Sequence, residues 1–266
     1  VTMLARSYCS LQDRRGTTRS HPKPKEAIRL MSYNLHSCVG LDGRLSVERV
    51  AEILHRYQPD FVALQELDSL SRRSNGLDQL EELKRLWPSQ GEFLPLMSMR
   101  GGRYGIGFLS RLPVERWDAE VLPFADQFMR QEPRGVIKVK VRAPGGRTVE
   151  ILNTHLGLTK KERTRQIDRL LEECQGQDRE AQVLIGDFNC SPTSLEYRRI
   201  CRRFRAAQNP PQKTWFGTFP LRYLDYAFVR GDLQVLSAWV PRDSLTRVAS
   251  DHLPLIVDLV VNEDER

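Results

Sequence analysis

A chain of 266 residues with 40% hydrophobic content can bury a large core, and it holds no apolar run long enough to span a bilayer. Its five cysteines, Cys9, Cys38, Cys174, Cys190 and Cys201, are odd in number and contain no C-x-x-C pair, which argues against a disulfide framework or zinc knuckle and for a reducing compartment. The net charge of +7 invites a nucleic-acid reading, but Arg6, Arg14, Arg15, Arg19, Lys23 and Lys25 face Asp13 alone, so five of those charges lie in a basic, solvated arm over residues 1–25.

Past the helix-hostile His21-Pro22-Lys23-Pro24, residues 28–35 read as a strand that delivers Asn34 at its end. Ser46 is placed to cap a helix whose apolar positions, Val47, Val50, Ile53, Leu54 and Tyr57, share one face until Pro59 stops it. Residues 61–66 form a near-continuous apolar run ending in Glu66. Strand, helix and second buried strand predict an α/β core. Residues 77–86 predict a helix, 106–110 a short strand, and 135–141 with 148–154 a hairpin around Pro144-Gly145-Gly146 that runs into His155. Thr159-Lys160-Lys161-Glu162 has capping-box spacing and opens a helix with the stripe Ile167, Leu170, Leu171 and Cys174. Residues 183–187 predict a short buried strand, with Asp187 and Asn189 on one side at period two. Ser191-Pro192 then predicts a capped helix to about residue 204. The remaining predicted strands are 223–229, 235–240 and 254–261, the last after Ser250-Asp251-His252. No linker or repeat interrupts the chain, so residues 26–262 are expected to form one domain. With no secretory-type apolar stretch visible, a cytoplasmic monomer is expected.

A pattern emerges at the strand ends. Asn34, Glu66, His155, Asp187 with Asn189, and Asp251 with His252 each sit at or just past the end of an apolar strand, and Asp225 lies in an apolar run where an acid is costly unless paired. Taken singly these are ordinary residues: turn formers, a solvated strand end, a core histidine, a salt-bridge partner. Taken together they mark one edge of an α/β core, where sites gather.

Seven segments carry a family likeness: Met31-Ser32-Tyr33-Asn34-Leu35, Leu64-Gln65-Glu66, Gly107-Phe108-Leu109-Ser110-Arg111, Asn153-Thr154-His155-Leu156, Gly186-Asp187-Phe188-Asn189, Leu224-Asp225-Tyr226 and Ser250-Asp251-His252. In this order and spacing the chain resembles the endonuclease/exonuclease/phosphatase superfamily, with the deoxyribonuclease-like fold. Arg73-Ser74-Asn75-Gly76-Leu77-Asp78-Gln79 and Gln131-Glu132-Pro133-Arg134-Gly135 are similar to a compact bacterial-type subgroup of metal-dependent hydrolases. The resemblance implies a four-layer α/β sandwich, two mixed sheets face to face with helices outside, and a site at one edge where the sheets meet.

It also implies roles. Glu66, Asn34 and Asp251 offer hard oxygen ligands suited to Mg²⁺ or Mn²⁺. His252 and Asp225 stand as an acid–base dyad, Asp187 and Asn189 orient the attacking water and the phosphate, and His155 stabilises charge on the phosphoryl oxygens. Which of Asp187 and His252 takes the water's proton is open at this level. Arg134 is a candidate phosphate clamp, whereas Arg72 and Arg73 read as solvated loop charges. His155 stands where abasic-site endonucleases carry a tyrosine, and no acid or amide near Tyr104-Gly105-Ile106-Gly107 is available to support it. The implied activity is hydrolysis of a phosphodiester, from nucleic acid or from a phospholipid or small molecule; the alternative is a catalytically silent scaffold that binds nucleic acid or a partner. A near-neutral domain leans away from nucleic acid, and Trp215-Phe216-Gly217-Thr218-Phe219-Pro220 could form an apolar rim or core.

Overall fold

A computed structural model describes residues 22–124, 132–174 and 180–262. The first half of the fold comprises β1 (Ile28–Asn34), α1 (Val47–Tyr57), β2 (Phe61–Ser69), α2 (Gln79–Leu86), β3 (Gln90–Met99) and β4 (Gly102–Ser110). The second comprises β5 (Val114–Val121), β6 (Gly135–Arg142), β7 (Thr148–His155), α3 (Lys160–Glu173), β8 (Gln182–Asp187), α4 (Leu195–Ile200), β9 (Arg205–Ala206) and β10 (Asp225–Arg230). The chain then returns through β11 (Leu233–Trp239), α5 (Thr246–Ala249) and β12 (Leu255–Val261). Two six-stranded sheets result, in the orders β11-β12-β1-β2-β4-β3 and β5-β6-β7-β8-β10-β9. Both are mixed. The pairs β1–β2 and β7–β8 are parallel, connected through α1 and α3, and their other neighbours run antiparallel.

Three apolar layers hold this arrangement. Ile28, Leu30, Phe61 and Ala63 of one sheet pack against Val149, Ile151, Val183 and Ile185 of the other. Met31, Tyr33, Val62 and Leu64 face the stripe of α1 and α2, and Leu152 and Leu184 face α3 and α4. Burial on both faces is why the central strands read as unbroken apolar runs. The result is the four-layer α/β sandwich expected from the sequence. The helix starts follow capping chemistry: Ser46 Oγ accepts the Arg49 N–H at 3.2 Å and Thr159 Oγ1 the Glu162 N–H at 3.3 Å, each worth roughly 1 kcal/mol.

Toward one edge the inter-sheet layer turns polar. Alternation carries β1 from Ile28 and Leu30 to Ser32 and Asn34, β2 from Phe61 and Ala63 to Gln65, and β7 from Val149 and Ile151 to Asn153 and His155. On β8 the row ends in Asp187, and on β10 it begins with Asp225. Buried polar groups here satisfy one another across the sheets. Gln65 Nε2 donates to Asn153 Oδ1 at 2.7 Å, and Asn153 Nδ2 donates to the carbonyls of Gly107 at 2.8 Å and Leu64 at 3.1 Å.

Several expectations are corrected. Two edge strands, β3 and β5, have no counterpart in the sequence expectations: β3 has mixed faces and carries Pro95, and in β5 the short alternation of Trp117, Ala119 and Val121 with Asp118 and Glu120 is largely exposed. The helix expected from about residue 193 to 204 is confined to α4; Ser194, not Ser191, accepts the capping N–H, from Tyr197 at 3.1 Å. Arg73 is not a solvated loop charge. Asp68 is buried on β2 and needs a partner, and Arg73 supplies it with two bonds of 2.7 Å while stacking 5.2 Å over Tyr104. Most of the basic arm, residues 1–21, lies outside the described residues. No helix among the described residues is long and apolar enough to cross a membrane.

Candidate active site

Strand register assembles the site. In the parallel β7–β8 pair His155 lies opposite Asp187, and in the antiparallel β8–β10 pair Asp225 lies opposite the same Asp187. Neighbouring strands are about 4.8 Å apart, so the three side chains form a row at the polar edge. The approach of β7 and β8 depends on Gly186, whose φ is +146°; a Cβ there would stand 1.9 Å from the Thr154 carbonyl oxygen.

His252 completes the row from the loop before β12. Ser250 Oγ donates to the Asn34 carbonyl at 2.8 Å and accepts the His252 N–H at 3.1 Å, tying that loop to the end of β1. His252 Nδ1 is 2.8 Å from Asp225 Oδ2, and its Nε2 is 3.7 Å from Asp187 Oδ2. Among the described residues, Asp187, Asp225 and His252 form the one group of three acidic, histidine or cysteine side chains with ligand atoms all within 4.8 Å. Burial by itself would lower the His252 pKa, but Asp225 and Asp187 outweigh it and raise it well above the ordinary imidazole value. The Asp187 carboxyl is pushed up, by burial first and then by the Asp225 charge. One contribution is common to both: two buried carboxylates face a single imidazole, which they favour in its charged form, while the Asp225 charge opposes ionisation of Asp187.

Asp187 does not align with Asn189 as period two predicted. Asn189 takes a left-handed backbone, φ 48°, and donates its N–H to Asp187 Oδ1 at 3.0 Å, so the strand ends at the acid and turns. Its side-chain amide donates to the Leu156 carbonyl at 2.9 Å. Asp187 Oδ2 accepts Asn34 Nδ2 at 3.1 Å and faces His155 Nε2 at 3.5 Å.

Asn34 links this row to Glu66. The backbone N–H of His36 can only donate, and it meets Asn34 Oδ1 at 3.1 Å, which turns Nδ2 toward Glu66 Oε1 at 2.8 Å and Asp187. Glu66 sits on a bulge between Leu64 and Leu67 with φ 58°, a left-handed conformation that breaks the strand's alternation at the acid. Asp251 Oδ2 accepts Trp215 Nε1 at 3.1 Å. Glu66 and Asp251 thus stand outside the Asp187–Asp225–His252 group but on the same edge. They are half-buried oxygen donors, each with one carboxylate oxygen engaged at 3.1 Å or less, a set that suits a hard divalent cation.

Arg134 is 4% exposed and lies directly against His155, with Nη1 3.0 Å from Nδ1 and 3.2 Å from Nε2. A guanidinium is a cation that only donates, so its contact with both ring nitrogens favours the uncharged imidazole, in which one of the two is an acceptor. Burial first, then Arg134 and His252, hold His155 well below its usual pKa. The support absent around Tyr104-Gly105-Ile106-Gly107 therefore comes from Arg134 and Asp187. Arg134 Nη2 pairs with Glu132 at 3.0 Å, and its buried Nε has no partner among the described residues. Two contributors escaped the sequence reading: Ser250, visible only as the neighbour of Asp251, and Trp215, which had no role beyond a rim or core. In the following segment Phe216 and Phe219 are 38% and 73% exposed, so these two rings are not part of the core.

Solved structures of similar fold include an endonuclease/exonuclease/phosphatase from Beutenbergia cavernae, 22% identical with a TM-score of 0.74 over 90% of this chain and 72% of that one. The human Nocturnin catalytic domain, solved with a bound sulfate anion, is 23% identical with a TM-score of 0.70 over 89% and 94%. A mannosyl-6-phosphatase from Bacteroides thetaiotaomicron is 19% identical with a TM-score of 0.70 over 88% and 99%. No curated protein sequence matches the chain. The family model of the endonuclease/exonuclease/phosphatase family, however, matches residues 31–252, from β1 through His252, and the chain belongs to that family.

Proposed function

We propose that this protein is a divalent-metal-dependent phosphodiesterase that hydrolyses its substrate by direct attack of water on phosphorus. Family membership makes it a phosphoester hydrolase; the metal dependence and the diester preference are the proposal. The observation that carries the reading is the row His155, Asp187, Asp225 and His252, brought together from three strands and a loop with Arg134 beside it.

Asp187 Oδ2 faces the Nε2 atoms of both His155 and His252. A water held against that oxygen gives its proton to Asp187 as it attacks, with Asn189 and Asn34 keeping the carboxylate in place. His252, held by Asp225, delivers a proton from Nε2 to the departing oxygen. Neutral His155 donates to a phosphoryl oxygen where charge develops, and the Arg134 guanidinium anchors the phosphate. Glu66 and Asp251 would hold Mg²⁺ or Mn²⁺, whereas Asn34, whose Oδ1 accepts the His36 N–H and whose Nδ2 faces Glu66, would orient Glu66 rather than add the oxygen ligand expected of it; such an ion when bound supplies Lewis acidity to the phosphoryl group. The mannosyl-6-phosphatase and the sulfate-bound Nocturnin domain support a pocket of this fold that receives tetrahedral oxyanions.

The test is release of 4-nitrophenolate from bis(4-nitrophenyl) phosphate in Mg²⁺ or Mn²⁺, abolished by EDTA and restored by excess metal. Absence of turnover on this ester, on simple monoesters, and on DNA, RNA and phospholipids would overturn the reading in favour of a silent scaffold.

A further inference from the structure

Beside the row of site residues lies a cavity of about 650 Å³, with Asn189 in its wall and the starts of α3 and α4 and the segment before β10 around it. A volume of this size suits a nucleotide-sized ligand. Its lining is strongly cationic. Lys160, Arg163, Arg198 and Arg222 contribute to it, against Glu196 as the sole acid. That acid is already neutralised: Glu196 is 2% exposed, and Arg163 meets it at 3.2 Å while donating to the carbonyls of Gly157 and Leu158 at 3.2 and 2.6 Å. Lys160, Arg198 and Arg222 remain exposed with no carboxylate partner among the described residues. Three cations without a carboxylate partner among the described residues, around one concavity, focus a positive potential that attracts an anion.

The cavity is coupled to the site on two sides. Asn189 holds Asp187 through its backbone and also faces the cavity. The Arg222 guanidinium stacks 5.1 Å over Trp215, the ring whose Nε1 holds Asp251. A substrate whose scissile phosphate lies at Asp187 can therefore extend past Asn189 toward Lys160, Arg198 and Arg222.

We propose that this cavity is a second anion subsite, which receives a further phosphate of the substrate and selects phosphate esters that carry at least two phosphates. The proposal rests on the phosphoesterase reading of the neighbouring residues. The second phosphate has two sources with the same chemistry, the next link of a nucleic-acid strand or a second phosphate on a small molecule.

The test uses the full chain with Mg²⁺ and two chromogenic esters identical at the scissile phosphate: thymidine 5′-(4-nitrophenyl phosphate) with and without a 3′-phosphate. The expected result is a KM about tenfold lower for the 3′-phosphorylated ester. In Lys160→Ala/Arg198→Ala the two KM values converge. Equal values in the unaltered protein, or a difference that survives the double substitution, overturn the subsite. Calorimetric titration with thymidine 3′,5′-bisphosphate reads the subsite without turnover. Binding weakened about tenfold or more by the double substitution supports it even if no ester is hydrolysed, and the failure then belongs to the phosphoesterase reading. Competition by a single-stranded oligodeoxynucleotide that exceeds competition by the bisphosphate assigns the second phosphate to a strand; the reverse assigns it to a small molecule. Sedimentation with phosphatidylserine vesicles that requires Lys160 and Arg198, without discrimination between the esters, overturns the proposal in favour of a lipid surface.

Discussion

Replacing Asp225 by asparagine probes the proton donor with almost no change of shape. Asp225 is fully buried, and its Oδ2 meets His252 Nδ1 at 2.8 Å. The substitution exchanges a charge-assisted hydrogen bond, worth about 1.5–3 kcal/mol, for a neutral one worth about 0.5–1.5 kcal/mol, a loss of about 1–1.5 kcal/mol. Expressed in turnover, that is about 5- to 13-fold. The loss depends on the leaving group. An alkoxide, as in a dinucleotide or an alkyl diester, departs only with a proton from His252, whereas 4-nitrophenolate departs without one. Asp225→Asn is therefore expected to lose the full factor on thymidylyl-thymidine and less than about twofold on bis(4-nitrophenyl) phosphate, measured as kcat at saturating substrate and metal. Circular dichroism of the variant should match the parent, because one like-charge contact with Asp187 is relieved. Equal losses on the two esters would remove His252 from the leaving-group step, and no loss on either would remove the dyad from the mechanism.

Three further outcomes are expected. Glu66→Gln should weaken Mn²⁺ binding by about tenfold or more, read by electron paramagnetic resonance of free Mn²⁺, since one anionic oxygen leaves the donor set; undiminished binding places the ion elsewhere. Arg29→Met should cost about 3–5 kcal/mol in urea unfolding, because it strands buried Asp258, which Arg29 grips at 2.8 Å through Nε and again through Nη2, across the β1–β12 pair; a loss below about 1 kcal/mol refutes the account. Burial tends to raise the Asp243 carboxyl, but the Tyr57 hydroxyl, the Thr246 N–H at 2.9 Å and Arg56 at 3.2 Å hold it below its usual value. Its contribution to stability is thus present above the ordinary carboxylate pKa and disappears as pH falls through the lower folded value. Asp243→Asn should flatten the acid side of the stability profile in thermal melts, and an identical acid limb contradicts the assignment.

Much of this molecule is legible in one dimension because its physics is periodic. Strands buried on both faces read as apolar runs, α1 and α3 as stripes that begin at Ser46 and Thr159, and the change from Ile185 to Asp187 marks where the inter-sheet layer turns polar. The edge strands escaped because their faces are only partly covered: β3 mixes apolar residues on both faces and is interrupted by Pro95, and in β5 the alternation of Trp117, Ala119 and Val121 is short and set among charges. Arg73 escaped because its partner, Asp68, is hidden behind a strand whose interior acid looks like a strand end.

The sequence by itself determined which side chains are fit for the chemistry and that each ends an apolar run, since both depend on residue type and local spacing. Tertiary structure alone decided the register that sets Asp187 between His155 and Asp225, and the bulge that turns Glu66 to the edge. It also decided the burial that presses Arg134 against a neutral imidazole and the gathering of unpaired cations around Asn189. Those features arise from contacts between segments far apart in the chain, where distance in space and exclusion of water, rather than residue identity, set the strength of every charge.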